Sequence, residues 1–494
     1  MKSDFLIKYF QISLKSFLLI LTFGWMFTYP IYAQNHQLND SITESPDFEE
    51  EDIEVDLDAD LEETGLSSDL FEDEDTWEVD TSFMEEDADI HNTNETSESE
   101  STSFIEELME PARFTVKHEH SYKTKEPTQT INNRSSLRFE YSKFFETYFF
   151  LRLDTKVNAF HESDHRSKAE EKNILFESNT KEAYLQSSLE NTSVKAGLQV
   201  IIWGEADGAA VTDVVAPRDQ SELFFISLEE SRISQPMLVF DQFSEVGDWT
   251  LFYIPSAGYT KMPEKGTQYD LGLLVNFNVE EDEALEKNNH ELGLRWKKTF
   301  GKSDLAMMVA SLIENDYKYE MNASGVLIKT NNRYQILGLT FNYGKGAYLV
   351  KGEIAQKSKK VFNNALYELI EKDVIDTAFS VEYSSPGGYT LLLGLIDQRI
   401  VDWEDDLEGS DESSGSYMLS CADNYLNEDL NAVFTGSLNY PNDEMIFTWE
   451  VDYKYYDHLK FDVAFLKLNI TNEKSQLWEY RNEERLTLKI QYQF

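Results

Sequence analysis

The charged residues best suited to a chemical role lie together in one polar stretch that follows an apolar segment. This stretch contains Glu205, Asp213, Arg218 and Asp219. Carboxylate and guanidinium groups in a narrow water-filled passage act on ions far more strongly than they do in bulk water. Their proximity in the sequence predicts a charged constriction. The alternative is that Glu205 and Arg218 pair only to hold a loop, and the two readings are compatible, because such a pair can also line a passage.

The element that must position these residues is the strand directly before them. Residue alternation predicts an outward, lipid-facing set and an inward set. The outward set is Val194, Ala196, Leu198, Val200 and Ile202, and the inward set is Lys195, Gln199 and Trp203. Gly204 then permits a sharp change of direction where a side chain would clash. The polar segment that follows is too long for a simple turn, and we expect it to fold inward.

Further charged residues occupy alternate, inward positions of other predicted strands. Most are expected to be wall residues that satisfy one another, and the mixture of signs predicts no clear ion selectivity. They are Arg152, Asp154, Lys156, Glu291, Arg295, Lys297, Lys351, Glu353, Glu450, Asp452 and Lys454.

Catalysis is a poor fit to this sequence, because it needs a base positioned beside a nucleophile or a water molecule. None of the eight histidines is followed by a pattern typical of a catalytic triad. His118 and His120 share one face of a predicted strand, and we interpret them as wall residues rather than a metal site. The single cysteine, Cys421, leaves no intrachain disulfide or cysteine-based metal centre. The sequence therefore predicts no enzyme, no metal and no cofactor.

The charge balance excludes a further class of function. The 494 residues carry 92 acidic and 43 basic side chains, a formal net charge of −49. A chain this acidic repels phosphate backbones, so nucleic-acid binding is excluded. An aromatic content of 13% is too high for a chain that is disordered throughout. A large ordered part must therefore coexist with a very acidic part.

The first 33 residues have the three-part pattern of a secretory signal peptide. A basic leader with Lys2, Lys8 and Lys15 precedes an apolar run over 17–29, and Ala33 provides a small residue at the cleavage position. The alternative is a membrane anchor, but the apolar run is shorter than the roughly 20 residues that a helical span needs. The sequence predicts export and cleavage after residue 33.

Residues 34–110 form the very acidic part. Thirty Asp and Glu residues lie between Asp40 and Glu110, and no Lys or Arg lies between Gln34 and Ala112. Such a segment buries too little apolar surface to offset its chain entropy, so we predict a disordered periplasmic extension. Isolated apolar residues within it, such as Trp77, leave open an alternative in which short motifs bind a periplasmic partner.

Residues 111–494 change to an alternation with period two, in runs of about ten residues. This is the length of a tilted strand that crosses a bilayer. Polar turns separate the runs, for example Glu245–Asp248 and Pro441–Asp443, and longer polar stretches lie at 161–179, 204–235, 314–331, 358–373, 401–430 and 471–484. The pattern predicts an all-β fold, a transmembrane antiparallel barrel of 16 or 18 strands. The run over 271–277 is predicted to be one of its strands.

The final amphipathic strand ends on an aromatic residue. Leu486, Leu488, Ile490, Tyr492 and Phe494 alternate with polar residues. This ending resembles the C-terminal signature of bacterial outer-membrane barrels. It implies two partners, outer-membrane lipid and the barrel assembly machinery that reads the strand ending at Phe494.

The segment from Gly197 to Asp219 resembles a family of outer-membrane porin-like barrels similar to the alginate-export porins. In that family a strand reading Gly-Arg-Gln runs into Trp-Gly-Glu and is followed by an insertion with Asp and Pro-x-Asp. The matching residues are Gly197, Gln199, Trp203, Gly204, Glu205, Asp213, Pro217 and Asp219. Leu198 stands where the family has Arg, so a ligand contact of that arginine does not carry over.

Together these patterns predict a channel in a Gram-negative-type outer membrane. The leading prediction is passive or facilitated passage of a small or medium solute. The predicted constriction consists of Lys195, Gln199, Trp203, Gly204, Glu205, Asp213, Arg218 and Asp219. The alternative is a plugged barrel that acts as a scaffold or adhesin, with the acidic segment binding a periplasmic partner.

Overall fold

The computed structural model describes residues 111–145, 148–169, 175–206, 211–270, 272, 277–282 and 289–494. The predicted signal peptide (1–33) and acidic extension (34–110) lie outside the described residues. Among the residues described, no helix is long and apolar enough to cross a membrane.

Eighteen strands form one closed antiparallel barrel, which confirms the predicted fold class and selects the larger of the two predicted strand numbers. Each strand pairs with its neighbours in chain order, and β21 pairs with β1 to close the ring. The barrel strands are β1 (Ala112–Lys123), β2 (Gln129–Phe145), β3 (Phe149–Phe160), β4 (Phe176–Leu189), β5 (Thr192–Gln199), β6 (Gln235–Gln242), β7 (Asp248–Ile254), β9 (Glu291–Phe300), β10 (Ser303–Ile313), β13 (Arg333–Lys345), β14 (Tyr348–Asn363), β15 (Leu369–Ser384), β16 (Tyr389–Ile400), β17 (Ser413–Tyr425), β18 (Leu430–Tyr440), β19 (Glu444–Tyr456), β20 (Leu459–Ile470) and β21 (Glu484–Gln493).

The remaining elements are short and belong to the connections between barrel strands. A three-stranded sheet combines β8 (Val279–Glu281), β11 (Lys318–Met321) and β12 (Leu327–Thr330). One helical turn, α1, spans Leu228–Ser231, and 3-10 turns span His165–Lys168, Leu223–Phe225 and Trp478–Tyr480.

The barrel strands form because their side chains alternate between two different environments. On β16 the outward residue Leu393 is 61% exposed, whereas the inward residue Leu392 is 1% exposed. Large exposed apolar side chains recur on the outward face of most barrel strands, including Val309 on β10 and Phe379 on β15. An apolar outer face of this kind is stable only against lipid. The alternation seen in the sequence is therefore the alternation of a membrane-spanning wall.

The two rims of the barrel carry connections of different length. One rim has short turns, such as 190–191, 301–302 and 346–347, and also holds the start of β1 and the end of β21. The opposite rim holds the long connections, of which 200–234 and 255–290 are the longest.

Several predicted boundaries were wrong. The stretches 358–373 and 401–430 were expected to be loops, but they contain the ends of β14 and β15 and all of β17. Their alternate polar residues face the barrel interior, where polar side chains are compatible with a strand. The short turn at Pro441–Asp443 lies on the rim of the long connections.

The strand predicted at 271–277 falls largely on positions outside the described residues. β7 pairs directly with β9, so the described residues between these strands lie outside the barrel ladder. Positions 271 and 273–276 are outside the described residues.

Candidate functional site

The long connection between β5 and β6, residues 200–234, folds into the barrel interior; we call it the insertion. Its apolar residues Val211 and Val215 are buried against inward side chains of the wall, among them Met308, Ile336 and Ala355. Apolar contacts of this kind keep the connection inside the lumen, because they remove it from water. The insertion thus narrows the passage through an 18-stranded ring.

Trp203 begins the insertion and is its largest apolar anchor. It is 2% exposed, and its ring centroid lies 5.1 Å from that of Phe252 on β7. Gly293 on β9 leaves the space for this ring, since a Cβ there would come within 2.7 Å of Trp203 Cη2. Trp203 therefore packs against the wall and does not line the passage.

Gly204 is required for a close approach between chain segments. A Cβ at this position would lie 3.0 Å from Asp213 Cβ and 3.3 Å from Glu353 Oε1. The neighbouring Glu205 places its carboxylate against the wall, where Arg295 donates a hydrogen bond of 2.9 Å and Asn342 one of 3.0 Å. These contacts join the start of the insertion to β9 and β13.

The other three predicted charges also hold the insertion. Asp213 is buried and pairs with Arg232 at 3.1 Å and Arg218 at 3.3 Å. Asp219 pairs with Lys261 at 3.1 Å. The pair expected between Glu205 and Arg218 does not form, because each side chain has a closer partner of opposite charge.

Lys195 and Gln199 lie on the inward face of β5, beside the place where the insertion leaves the wall. Lys195 lies 3.9 Å from Asp241 on β6. Gln199 is buried, and its amide donates to the carbonyl oxygen of Met237 at 3.3 Å. Both residues therefore tie β5 to β6.

The far end of the insertion, where α1 meets three lysines, was not predicted from the sequence. Lys117 on β1 and Lys156 on β3 lie 3.2 and 3.3 Å from the Glu230 carboxylate. Lys181 on β4 donates to the carbonyl oxygens of Glu229 and Glu230, both at 2.8 Å. Cations are favoured at the C-terminal carbonyls of a helical turn. We call this group of contacts the lysine clamp.

A sequence signal for this turn was present. Ser227 is the N-cap of α1, and its hydroxyl accepts a hydrogen bond from the Glu230 N–H at 3.2 Å. A serine followed three positions later by glutamate is the capping-box pattern of a helix start. The pattern predicts a short helical turn within the insertion, although not the lysines that bind it.

Two carboxylates at the tip of the insertion are held in the charged state by nearby cations. Burial would raise the pKa of Glu230, but Lys117 and Lys156 outweigh burial and lower it. Burial also opposes ionisation of Glu222, and Arg134 on β2 outweighs it, so the pKa of Glu222 lies well below its usual range. The tip of the insertion therefore carries fixed negative charge across the neutral pH range.

Two polar cavities border the insertion tip. One, of about 430 Å³, lies against the inward faces of β1 to β4 and is lined by ion-paired residues such as Arg138 and Arg152. The second, of about 200 Å³, lies against β19 to β21. Five residues line both cavities: Glu119, Arg134, Glu222, Ile226 and Glu230. The two cavities therefore share these five residues, and Asp219 of the predicted set also lines the larger of the two.

A closed antiparallel barrel with an apolar exterior, a charged interior and an inward-folded connection has the architecture of a transmembrane β-barrel with a narrowed lumen. The sequence matches no family model and no curated protein. Solved structures of similar fold include OccAB1 of Acinetobacter baumannii, with 8% identity, a TM-score of 0.49, and coverage of 78% of this chain and 96% of that chain.

OpdK of Pseudomonas aeruginosa, solved with vanillate, has 8% identity and a TM-score of 0.46, over 78% of this chain and 99% of that chain. OccK2 (OpdF) of the same organism, solved in complex with glucuronate, has 12% identity and a TM-score of 0.46. The match covers 78% of this chain and 96% of that chain.

Proposed function

We propose that this protein is a porin-like channel of the outer membrane that lets small polar solutes pass beside the insertion. The observation that carries the proposal is the 430 Å³ cavity, which is lined by charged side chains inside a closed, lipid-facing barrel. A space lined in this way is favourable for water and for polar solutes and unfavourable for apolar ones. The proposal assigns no catalytic activity to the chain.

Single-channel recording tests the proposal directly. The full-length protein, purified from outer membranes and inserted into a planar bilayer, is expected to give discrete conductance steps in a simple salt solution. A protein that inserts, is heat-modifiable on gels and yet conducts no ions contradicts the channel. That result supports the alternative in which the barrel is a plugged scaffold or adhesin.

The two rims suggest the orientation in the membrane. Outer-membrane barrels have short periplasmic turns and longer external connections. The short-turn rim, which holds the start of β1, is therefore the periplasmic rim in this proposal. Residues 34–110, which precede β1, are then a periplasmic extension, and Phe494 on the same rim is the residue that the assembly machinery reads.

The resemblance to alginate-export porins belongs to the same proposal. It is supported by Trp203, Gly204 and Glu205 at the start of the insertion and by Pro217 and Asp219 further along it. The solute itself is left open. Conductance block by acidic sugars of increasing length, compared with neutral sugars of equal length, tests whether the channel prefers such substrates.

A further inference from the structure

One buried carboxylate of the barrel wall accepts four hydrogen bonds from the part of the insertion that the structure describes. Glu353 lies on β14, faces inward and is 4% exposed. Its Oε1 accepts from the backbone N–H groups of Glu205 and Ala206, the latter at 2.6 Å. Its Oε2 accepts from the backbone N–H of Thr212 at 3.1 Å and from the Thr212 hydroxyl at 2.8 Å.

These four donors come from two stretches of the insertion, around residues 204–206 and 211–213, that meet at the carboxylate. Successive backbone N–H groups that converge on one point form a nest, which is a typical site for an anion. Gly204 keeps the approach open, since a Cβ there would lie 3.3 Å from Glu353 Oε1. The insertion thus carries an anion-binding nest, and the wall supplies the anion that fills it.

We propose that Glu353 is the positioning residue of the constriction, and that its nest binds a small carboxylate such as formate when the Glu353 side chain is removed. Four hydrogen bonds to a buried charge fix the start of the insertion against β14. Without that charge the four donors have no partner in a buried place, which is unfavourable. A free carboxylate of the right size restores the missing interaction. This inference rests on the proposed channel only for its conductance readout.

The test compares Glu353→Ala with Glu291→Ala. Glu291 is an equally buried carboxylate of the same barrel interior, but it accepts a hydrogen bond from Ile313 N–H of β10 rather than from the insertion. The release of the insertion is measured by thiol labelling of Ala206→Cys, a buried position, in full-length protein that also carries Cys421→Ser.

Glu353→Ala is expected to raise the labelling rate by about tenfold, because buried donors lose their acceptor. It is also expected to make the current unsteady. Formate should reverse both effects, whereas sodium chloride at equal ionic strength should not. Glu291→Ala should show neither effect and no response to formate.

Three results overturn the proposal: an unchanged labelling rate in Glu353→Ala, an equal increase in Glu291→Ala, or no reversal by formate. If Glu353→Ala fails to assemble, Thr212→Val removes one donor and leaves the wall intact. Thr212→Val is then expected to raise labelling by a smaller factor, and no change overturns the proposal. If the wild-type protein never conducts but labelling in Glu353→Ala still responds to formate, the proposed channel is wrong and the proposed nest is supported.

Discussion

The insertion is fixed at two ends by chemically different contacts. At its start, the buried Glu353 carboxylate accepts four hydrogen bonds from neutral donors. At its tip, the Glu230 side chain is 47% exposed and pairs with two lysines. Buried hydrogen bonds to a charge are strong and little affected by salt, whereas exposed ion pairs are weak and screened. The insertion therefore has a permanent attachment at Glu353 and a second attachment at Glu230 that salt can weaken.

The largest effect is expected at the permanent attachment. Glu353→Gln keeps the shape but turns an NH2 group toward backbone N–H donors, so the free energy of unfolding should fall by about 3 kcal/mol at any salt concentration. Urea titration of the refolded barrel measures it. Glu291→Gln is the matched control and should lose less, because Glu291 accepts one backbone hydrogen bond. Equal losses of stability in the two variants would contradict a special role of Glu353 in holding the insertion.

The lysine clamp should give a smaller effect that depends on salt. Glu230→Gln is expected to lower the free energy of unfolding by about 1 kcal/mol at low salt, an upper value given its exposure. The difference should vanish near 1 M salt, where screening acts over roughly 3 Å. Glu229→Gln removes a neighbouring charge, but Lys181 binds Glu229 through its backbone carbonyl, so this variant should change little. A salt-independent loss in Glu230→Gln would contradict the weak attachment.

Removal of a carboxylate should change ion selectivity by different amounts at the two ends of the insertion. Glu230 borders both cavities, so Glu230→Gln should shift the reversal potential toward anion passage. Glu205→Gln should shift it less, because Glu205 lines neither of these two cavities. Asp406→Asn, in an exposed external connection, serves as the control. A larger shift in Glu205→Gln than in Glu230→Gln would indicate that the constriction lies at Glu205, as predicted from the sequence.

The smallest effect concerns pH. The pKa of Glu230 is lowered in the folded protein from a usual value of 4.5. The stability that this carboxylate contributes is therefore present above pH 4.5 and is lost only as the pH falls through the lower folded value. Acidification from pH 7 to about 5 should leave conductance steadiness unchanged in recordings at constant salt. A marked loss of steadiness in that window would mean that another group controls the tip.

The sequence predicts the wall of this protein far better than its interior. The alternation of apolar and polar residues along a strand indicates which side chains face lipid, because lipid accepts only apolar side chains. It does not indicate which polar side chains pair with one another inside the lumen. Glu205 contacts Asn342 and Glu353 contacts Thr212, and these residues come together only when the ring has closed. Polar inward faces also made parts of β14, β15 and β17 resemble loops, so strand number could be bounded but not fixed.

The constriction predicted from the sequence stays a prediction, whereas the position of the segment that carries it can be compared with the structure. An inward-folding polar segment after Trp203 follows from its length and charge, and the structure places the insertion in the lumen. The role of Trp203 depends on the gap left by Gly293 on another strand, which no local pattern reveals. The lysines of the clamp lie on three separate strands. Only the Ser227 capping box was readable in advance.

The pairing of β21 with β1 has a consequence for the order of events during biogenesis. Phe114 and Phe494 exchange two backbone hydrogen bonds of 2.9 Å, and their rings stack with centroids 5.7 Å apart. The first strand of the ring therefore has no second neighbour until the eighteenth has been synthesised. Until that pairing forms, the first and last strands of the sheet each present an unpaired edge, which is a template for aggregation. The exchange of hydrogen bonds between Phe114 and Phe494 therefore protects both edges of the sheet at once.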